Sequence, residues 1–179
     1  MRPAVFFDRD GVLNENFVRN NRPYAPRSLE EFRLLPGVED SVQRLKAAGF
    51  LTIVVTNQPD VADGITPRAI VDAMHAELQR HLSLDDIKIC FHNNADRCTC
   101  RKPLPGMLFE AAAERGIDLT ASYLVGDRWR DIKAGQAAGC HAIFIDYGFK
   151  QDEAIAPDAV VKSLPEAVSY ILTRVEKQN

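Results

Sequence analysis

The sequence predicts an α/β chain folded as a three-layer sandwich, with a mostly parallel sheet between two layers of helices. Three observations predict it. Short apolar runs rich in β-branched and aromatic residues recur along all 179 residues. These runs are nearly continuous rather than alternating, as strands buried on both faces should be. Segments of helical period lie between them, and strand–helix–strand order implies right-handed crossovers and parallel pairing.

The strands read as residues 4–8 (AVFFD), 51–56 (LTIVVT), 87–91 (IKICF), 122–127 (SYLVGD), 141–146 (HAIFID) and, with a weaker pattern, 159–163 (AVVKS). Helices are predicted near 38–48, 67–82, 105–115, 130–138 and 165–177. Gly49 is a natural stop for the first. The second has Thr66 as cap with Pro67 in its first turn. Two polar connections are long for a compact fold, residues 14–36 and 92–104, and such loops are commonly functional. No repeat or linker interrupts the pattern, so residues 1–179 are expected to form one domain; two separate cores would be cramped.

Composition excludes several classes. The chain is 46% hydrophobic and 26% charged with a net charge of −3, which gives no basic footprint for nucleic acid or an anionic membrane. The apolar run after Met1 is too short for a signal peptide. No stretch approaches the roughly 20 apolar residues of a membrane span. A cytoplasmic monomer acting on a small molecule is the expectation.

Ligands in parallel sheets bind outside the carboxyl ends of the strands. Asp8, Thr56 and Asp127 close three of the predicted strands and should share one crevice. Asp8 and Asp10 stand two apart before Gly11, so a cation between them or a proton on one must relieve their repulsion. Asp8 and Asp127 would supply the hard oxygens that magnesium prefers, with water and substrate phosphate completing the shell. The Asp8 carboxylate can then attack phosphorus to form an aspartyl-phosphate. Asp10 can protonate the leaving oxygen and later take a proton from water. For that it needs a raised pKa, which burial and a neighbouring carboxylate would favour. The Thr56 hydroxyl and the backbone of Asn57 and Gln58 are candidates to hold the phosphoryl oxygens, and Lys102 is the candidate fixed cation. Asp131, four residues beyond Asp127, should face the same way. Singly, each residue has a plain reading: a turn, a cap, a surface lysine. Their arrival in order at successive strand ends favours chemistry.

Cys90, His92, Cys98 and Cys100 form Cys-x-His-x5-Cys-x-Cys. Soft and borderline donors without a carboxylate match a closed tetrahedral zinc site, here in a loop at about 90–101. A disulfide or buried thiols are the alternatives. Cys100 directly precedes Arg101 and Lys102, so a clamped loop would hold both cations over the phosphate site. Cys140 reads as a small buried residue, His75 and His81 as surface or helix-packing residues, and His141 as a strand opener.

The strings DRDGVLN, VVTNQ, CRKP and GDRWRDIKAG resemble, in order, the four motifs of the haloacid dehalogenase superfamily. The longer pattern FFDRDGVLN…TNQ…CRKPLPGM…GDR is similar to its capless heptose bisphosphate and histidinol-phosphate phosphatases. The resemblance implies a Rossmann-like fold without a large cap domain and covers most of the chain. It implies Asp8 as nucleophile, Asp10 as acid–base, and Thr56 and Lys102 as phosphoryl stabilisers. It also implies Arg101 as a substrate contact, and magnesium on Asp8, the Asp10 carbonyl and Asp127. The same subfamily carries the zinc loop.

The substrate is less sharply written. TNQPDVADG puts Asp60 and Asp63 where that group usually has glycine and arginine, and Pro59 removes a donor. The short zinc spacer leans towards the histidinol-phosphate type. Arg19, Arg22 and Arg27 can receive a second anionic group or be ordinary solvated charges. Trp129 lines the pocket or caps a helix. The expected substrate is a sugar phosphate of the heptose bisphosphate type, with histidinol phosphate as alternative. The non-enzymatic rivals are a receiver-like signalling domain and a zinc-held interaction module.

Overall fold

The computed structural model describes residues 1–19 and 22–177, the side chains of Arg19 and Arg22 excepted. In chain order the elements are β1 (Ala4–Phe7), β2 (Phe17–Arg19), β3 (Arg22–Tyr24), α1 (Val38–Ala47), β4 (Leu51–Asn57) and α2 (Arg68–Leu82). There follow β5 (Asp86–Cys90), α3 (Gly106–Arg115), β6 (Tyr123–Gly126), α4 (Trp129–Ala138), β7 (His141–Ile145), β8 (Ala159–Val161) and α5 (Leu164–Glu176). Each predicted strand and helix is present within one or two residues of its expected bounds.

The main sheet has the order β5-β4-β1-β6-β7-β8, and every pairing in it is parallel. The chain therefore builds outward from β1 to β4 and β5, then returns to add β6, β7 and β8 on the other side. That reversal leaves a crevice at the carboxyl ends of the central strands.

Alternation within each strand feeds two cores. Val5, Phe7, Val54 and Val125 face Val42 and Leu45 of α1, Met74 and Leu78 of α2, and Val168 and Ile171 of α5. Ala4, Phe6, Ile53, Val55 and Leu124 face Met107, Leu108 and Ala111 of α3 and Ala134 and Ala138 of α4. Both faces of β1 are thus fully buried, which explains its unbroken apolar run.

Two local readings are adjusted, and that of Gly49 is met. Pro67, not Thr66, stands at the N-cap of α2; no side chain caps that helix, and Thr66 is buried. Gly49 follows the end of α1 with φ 90° and donates its N–H to the Lys46 carbonyl, as a helix stop should. The 14–36 connection is not simply a loop: β2 and β3 form an antiparallel hairpin with Phe17 opposite Tyr24. Its Pro23, Tyr24 and Ala25 form part of the wall of the crevice. No helix among the described residues is long and apolar enough to cross a membrane.

Candidate active site

Asp8 follows directly on β1, and the Asp8 backbone N–H still pairs with the Val125 carbonyl at 3.0 Å. β6 ends beside it and delivers Asp127, while the first turn of α4 brings Asp131. Carboxylate oxygens of Asp8, Asp127 and Asp131 all lie within 4.8 Å of one another. Asp8 and Asp131 line a cleft of about 390 Å³, with Asp127 buried behind them, and Asp10, Asn57, Arg101, Lys102, Arg128 and Arg130 also line it. The site is rich in hard oxygens, and Oδ1 of Asp127 is buried with no hydrogen-bond partner among the described residues. Both features fit a small divalent cation. Oδ2 of Asp127 is held by Asn16 at 3.1 Å.

The approach of these groups depends on Gly11. Its φ is +84°, and a Cβ there would collide with the Asp127 carboxylate and the Asn16 amide. The Tyr147 hydroxyl donates to the Gly11 carbonyl at 2.9 Å, pinning the turn from the far side.

Lys102 is a buried cation, not a surface lysine. Only 2% of its side chain is exposed; Nζ lies 2.9 Å from Asp8 and 2.6 Å from Asp131. Its third donor goes to the Val55 carbonyl at 2.7 Å. Burial alone would lower its pKa, but Asp131 and Asp8 outweigh that and hold it above its ordinary value. Asp8 is nonetheless raised to about 6: burial and the Asp131 charge exceed what Lys102 returns. Asp127 is pushed well above the usual carboxylate range by burial, then by Asp8 and Asp131. A divalent cation bound here would favour the ionised forms of both.

Asp10 departs from expectation. Burial pushes its pKa up, but the adjoining Arg9, with Asn14 and Gln58, outweighs burial and holds it below the ordinary value. The sequence reading, which had Asp10 raised, missed Arg9. That guanidinium is fully buried, with Nη2 at 2.9 and 3.0 Å from the two Asp10 oxygens and Nε at 3.1 Å from Oδ1. The cation that relieves the acidic pair is therefore the residue between them, with Lys102 serving Asp8. Asn14 and Gln58 add bonds to Asp10 of 2.9 and 2.8 Å.

The Gln58 amide also donates to Thr56 Oγ1 at 2.9 Å, and its backbone N–H goes to the Cys90 carbonyl. Asn57 accepts from the Lys102 N–H and donates to the Lys102 carbonyl, both at 3.1 Å. Both amides are committed to protein groups, although Asn57 still lines the cleft. Thr56 is fully buried at the end of β4. Arg101 lines the cleft while bonded to Asn94 and the His92 carbonyl. The Arg19 side chain lies outside the described ones, as does that of Arg22. Arg27 is paired with Asp60 at 3.4 Å rather than left for substrate, and Asp63 accepts from Asn93 at 2.9 Å. Trp129 opens α4 and also lines the cleft, with the Arg130 guanidinium 4.8 Å from its ring centre.

Cys90, His92, Cys98 and Cys100 converge, all ligand atoms within 4.8 Å. The sulfur–sulfur contacts are 3.7 and 3.3 Å, His92 Nδ1 lies 3.3 Å from Cys100 Sγ, and all four cysteines are free thiols. Those edges suit a tetrahedron of about 2.3 Å metal–sulfur bonds. The loop then runs into Arg101 and Lys102. Gly106 lets α3 start against it: a Cβ there would strike the Thr99 carbonyl. Cys140 is buried as expected; His75 is buried too, and its ring touches Arg9.

Comparison with known proteins identifies the family. A family model described as HAD-hydrolase-like matches residues 99–167. A D-glycero-D-manno-heptose-1,7-bisphosphate 7-phosphatase of Thermosynechococcus vestitus is 34% identical, with 97% of each chain covered. The chain belongs to the haloacid dehalogenase-like phosphatases of this heptose bisphosphate group. A D-glycero-beta-D-manno-heptose-1,7-bisphosphate 7-phosphatase of Yersinia pestis is 37% identical over 76% of both chains. The crystal structure of a D,D-heptose 1,7-bisphosphate phosphatase from B. bronchiseptica, complexed with magnesium and phosphate, superposes with a TM-score of 0.80. It covers 96% of this chain and 99% of its own at 29% identity. As a member of that family the chain is a phosphatase, an enzyme that hydrolyses phosphate esters, which sets aside the signalling-domain and interaction-module readings.

Gly11→Ala forces a Cβ into the Asp127 carboxylate at a left-handed backbone position. It is expected to cost about 1–3 kcal/mol of stability and to lower phosphatase turnover by on the order of 100-fold through misplacement of Asp127. Denaturant melts and phosphate-release assays of the variant check both; parental behaviour in both would show that the close approach has no consequence.

Proposed function

We propose that the chain is a single-domain, magnesium-dependent phosphatase that removes one phosphate from a small phosphorylated sugar, the 7-phosphate of D-glycero-D-manno-heptose 1,7-bisphosphate. The observation that carries this is the convergence of the Asp8, Asp127 and Asp131 carboxylates beside a cleft that Asp8 and Asp131 line together with Arg101, Lys102, Arg128 and Arg130. Acids below and cations above suit a phosphate ester approaching a metal-backed carboxylate. The relatives named for the heptose bisphosphate reaction, one of them matching 97% of this chain, support the substrate class. Asp60 and Asp63, which weighed against a second phosphate in the sequence, are engaged by Arg27 and Asn93. The Arg27 cation offsets part of the Asp60 charge, whereas the neutral Asn93 amide leaves that of Asp63 in place.

Asp8 and Asp127, with the Asp10 carbonyl, would hold magnesium, and when bound it supplies positive charge to the phosphoryl oxygens. Asp8 attacks phosphorus along the line opposite the leaving sugar oxygen, giving an aspartyl-phosphate and the alcohol. Lys102 holds the orientation of Asp8 and lends its positive charge to the phosphoryl group, whose oxygens the Thr56 hydroxyl meets. Asp10 gives a proton to the leaving oxygen. The phosphate dianion beside it raises its proton affinity, because like charge disfavours a second anion. It then takes the proton back from the water that hydrolyses the aspartyl-phosphate, a task for which the ionised form is already set. Arg101 contacts the rest of the substrate.

A zinc ion on Cys90, His92, Cys98 and Cys100 would be structural, since protein donors fill all four places. Its work would be to hold the loop that carries Arg101 and Lys102.

Phosphate release measured over sugar monophosphates, sugar bisphosphates and histidinol phosphate, with magnesium, is the direct test. The heptose bisphosphate should be turned over fastest, and Asp8→Asn should abolish release. Preference for histidinol phosphate would overturn the substrate, and turnover by Asp8→Asn would overturn nucleophilic attack. Elemental analysis is expected to find about one zinc per chain, and its removal by chelation should lower turnover while magnesium still binds. Full activity of zinc-free protein would contradict the role given to the loop.

A further inference from the structure

His75 lies on α2, in none of the four motifs, yet it touches the charge network of the site. Its Nε2 is 3.1 Å from Nη1 of Arg9. Arg9 is fully buried, and a buried guanidinium is costly unless its donors are matched. Nε and Nη2 are matched by Asp10. Among the described residues, His75 is the hydrogen-bond acceptor on Nη1. A guanidinium has only donors, so Nε2 must be the accepting nitrogen of a neutral ring, and the proton must be on Nδ1. Burial, then the Arg9 charge, depress the His75 pKa to about 3, with Asp10 pulling the other way. The Nδ1 atom is buried without a partner among the described residues, so nothing there competes to reverse the tautomer. The Phe32 ring lies against the guanidinium, its centre 5.9 Å from Cζ.

We propose that His75 is a positioning residue for catalysis. By accepting from Nη1 it fixes the rotation of the Arg9 guanidinium, so that Nη2 and Nε grip Asp10 in the one orientation from which Asp10 reaches the leaving oxygen. His75 neither touches substrate nor exchanges a proton with it. The proposal rests on the acid–base role given to Asp10 above.

The leaving group separates this from a merely structural role. A sugar alkoxide needs a proton as it departs, whereas p-nitrophenolate leaves without one, and general acid catalysis is worth roughly 100- to 10,000-fold. His75→Leu keeps the bulk and removes the acceptor. It is expected to lower kcat/KM for the sugar phosphate by about tenfold or more and for p-nitrophenyl phosphate by less than about threefold. His75→Gln, which restores an acceptor oxygen, should recover most of the loss. In the unaltered protein, nitrogen NMR of the imidazole should show the neutral ring protonated on Nδ1 at neutral pH. An equal loss on both esters, no rescue by His75→Gln, or a ring that is cationic or protonated on Nε2 would each overturn the proposal. The NMR measurement decides even if His75→Leu does not fold. Asp10→Asn measured alongside keeps the two ideas apart. If it spares sugar phosphate turnover, the acid–base reading of Asp10 falls; if it abolishes turnover while His75→Leu does not lower it, only the positioning role falls.

Discussion

The structure turns on the Lys102 ammonium, buried between Asp8 and Asp131 and tied to the Val55 carbonyl. Three carboxylates gathered at the ends of two strands would repel strongly in a low-dielectric interior. Lys102 offsets part of that from one side and leaves Asp127 with a free oxygen on the other. Its ties are all to groups whose positions the sheet or α4 already fixes. A second buried cation, Arg9, treats Asp10 separately. Two aspartates only two residues apart therefore work in opposite environments. Asp8 has a raised proton affinity that a metal would lower, while Asp10 is held ionised by its own neighbour. Divergent environments for adjacent carboxylates are what acid–base and nucleophilic division of labour requires.

Holding Lys102 there is expensive in local structure. The residue lies on a connection rather than on a strand, and two devices hold it. Asn57, the last residue of β4, clamps its backbone from one side with a reciprocal pair of bonds. The Cys/His cluster gathers the preceding ten residues, and Gly106 allows α3 to begin in contact with that cluster. The Cys/His cluster and the buried ammonium thus belong to one short stretch of chain. Asp63 extends the support by bonding Asn93 across from the loop after β4.

Much of this was legible in the sequence, for physical reasons. Strands buried on both faces write unbroken apolar runs, and the residue that ends each run must lie at the crevice; Asp8, Thr56 and Asp127 follow from that alone. The cysteine spacing was equally plain, because few soft donors occur elsewhere. What was hidden was pairing. Arg9 between two aspartates reads as one more solvated charge, and only the fold shows that it turns inward to Asp10. Motif position likewise says nothing of the side-chain amides of Asn57 and Gln58, which hold Lys102 and Asp10. His75 carries no local signal at all: its meeting with Arg9 joins residues 66 apart in sequence. The β2–β3 hairpin was missed because strands of three residues are too short for a period to show.

The central claim is that Asp8 and Asp127 share a divalent cation beside the buried ammonium. Anomalous diffraction from crystals grown with manganese in place of magnesium tests it most directly. The account predicts one strong peak about 2.0–2.3 Å from an oxygen of each carboxylate, with Lys102 still between Asp8 and Asp131. A cleft without a peak at saturating manganese, or a peak bound by the Asp10 carboxylate but not by Asp8 and Asp127, would contradict it.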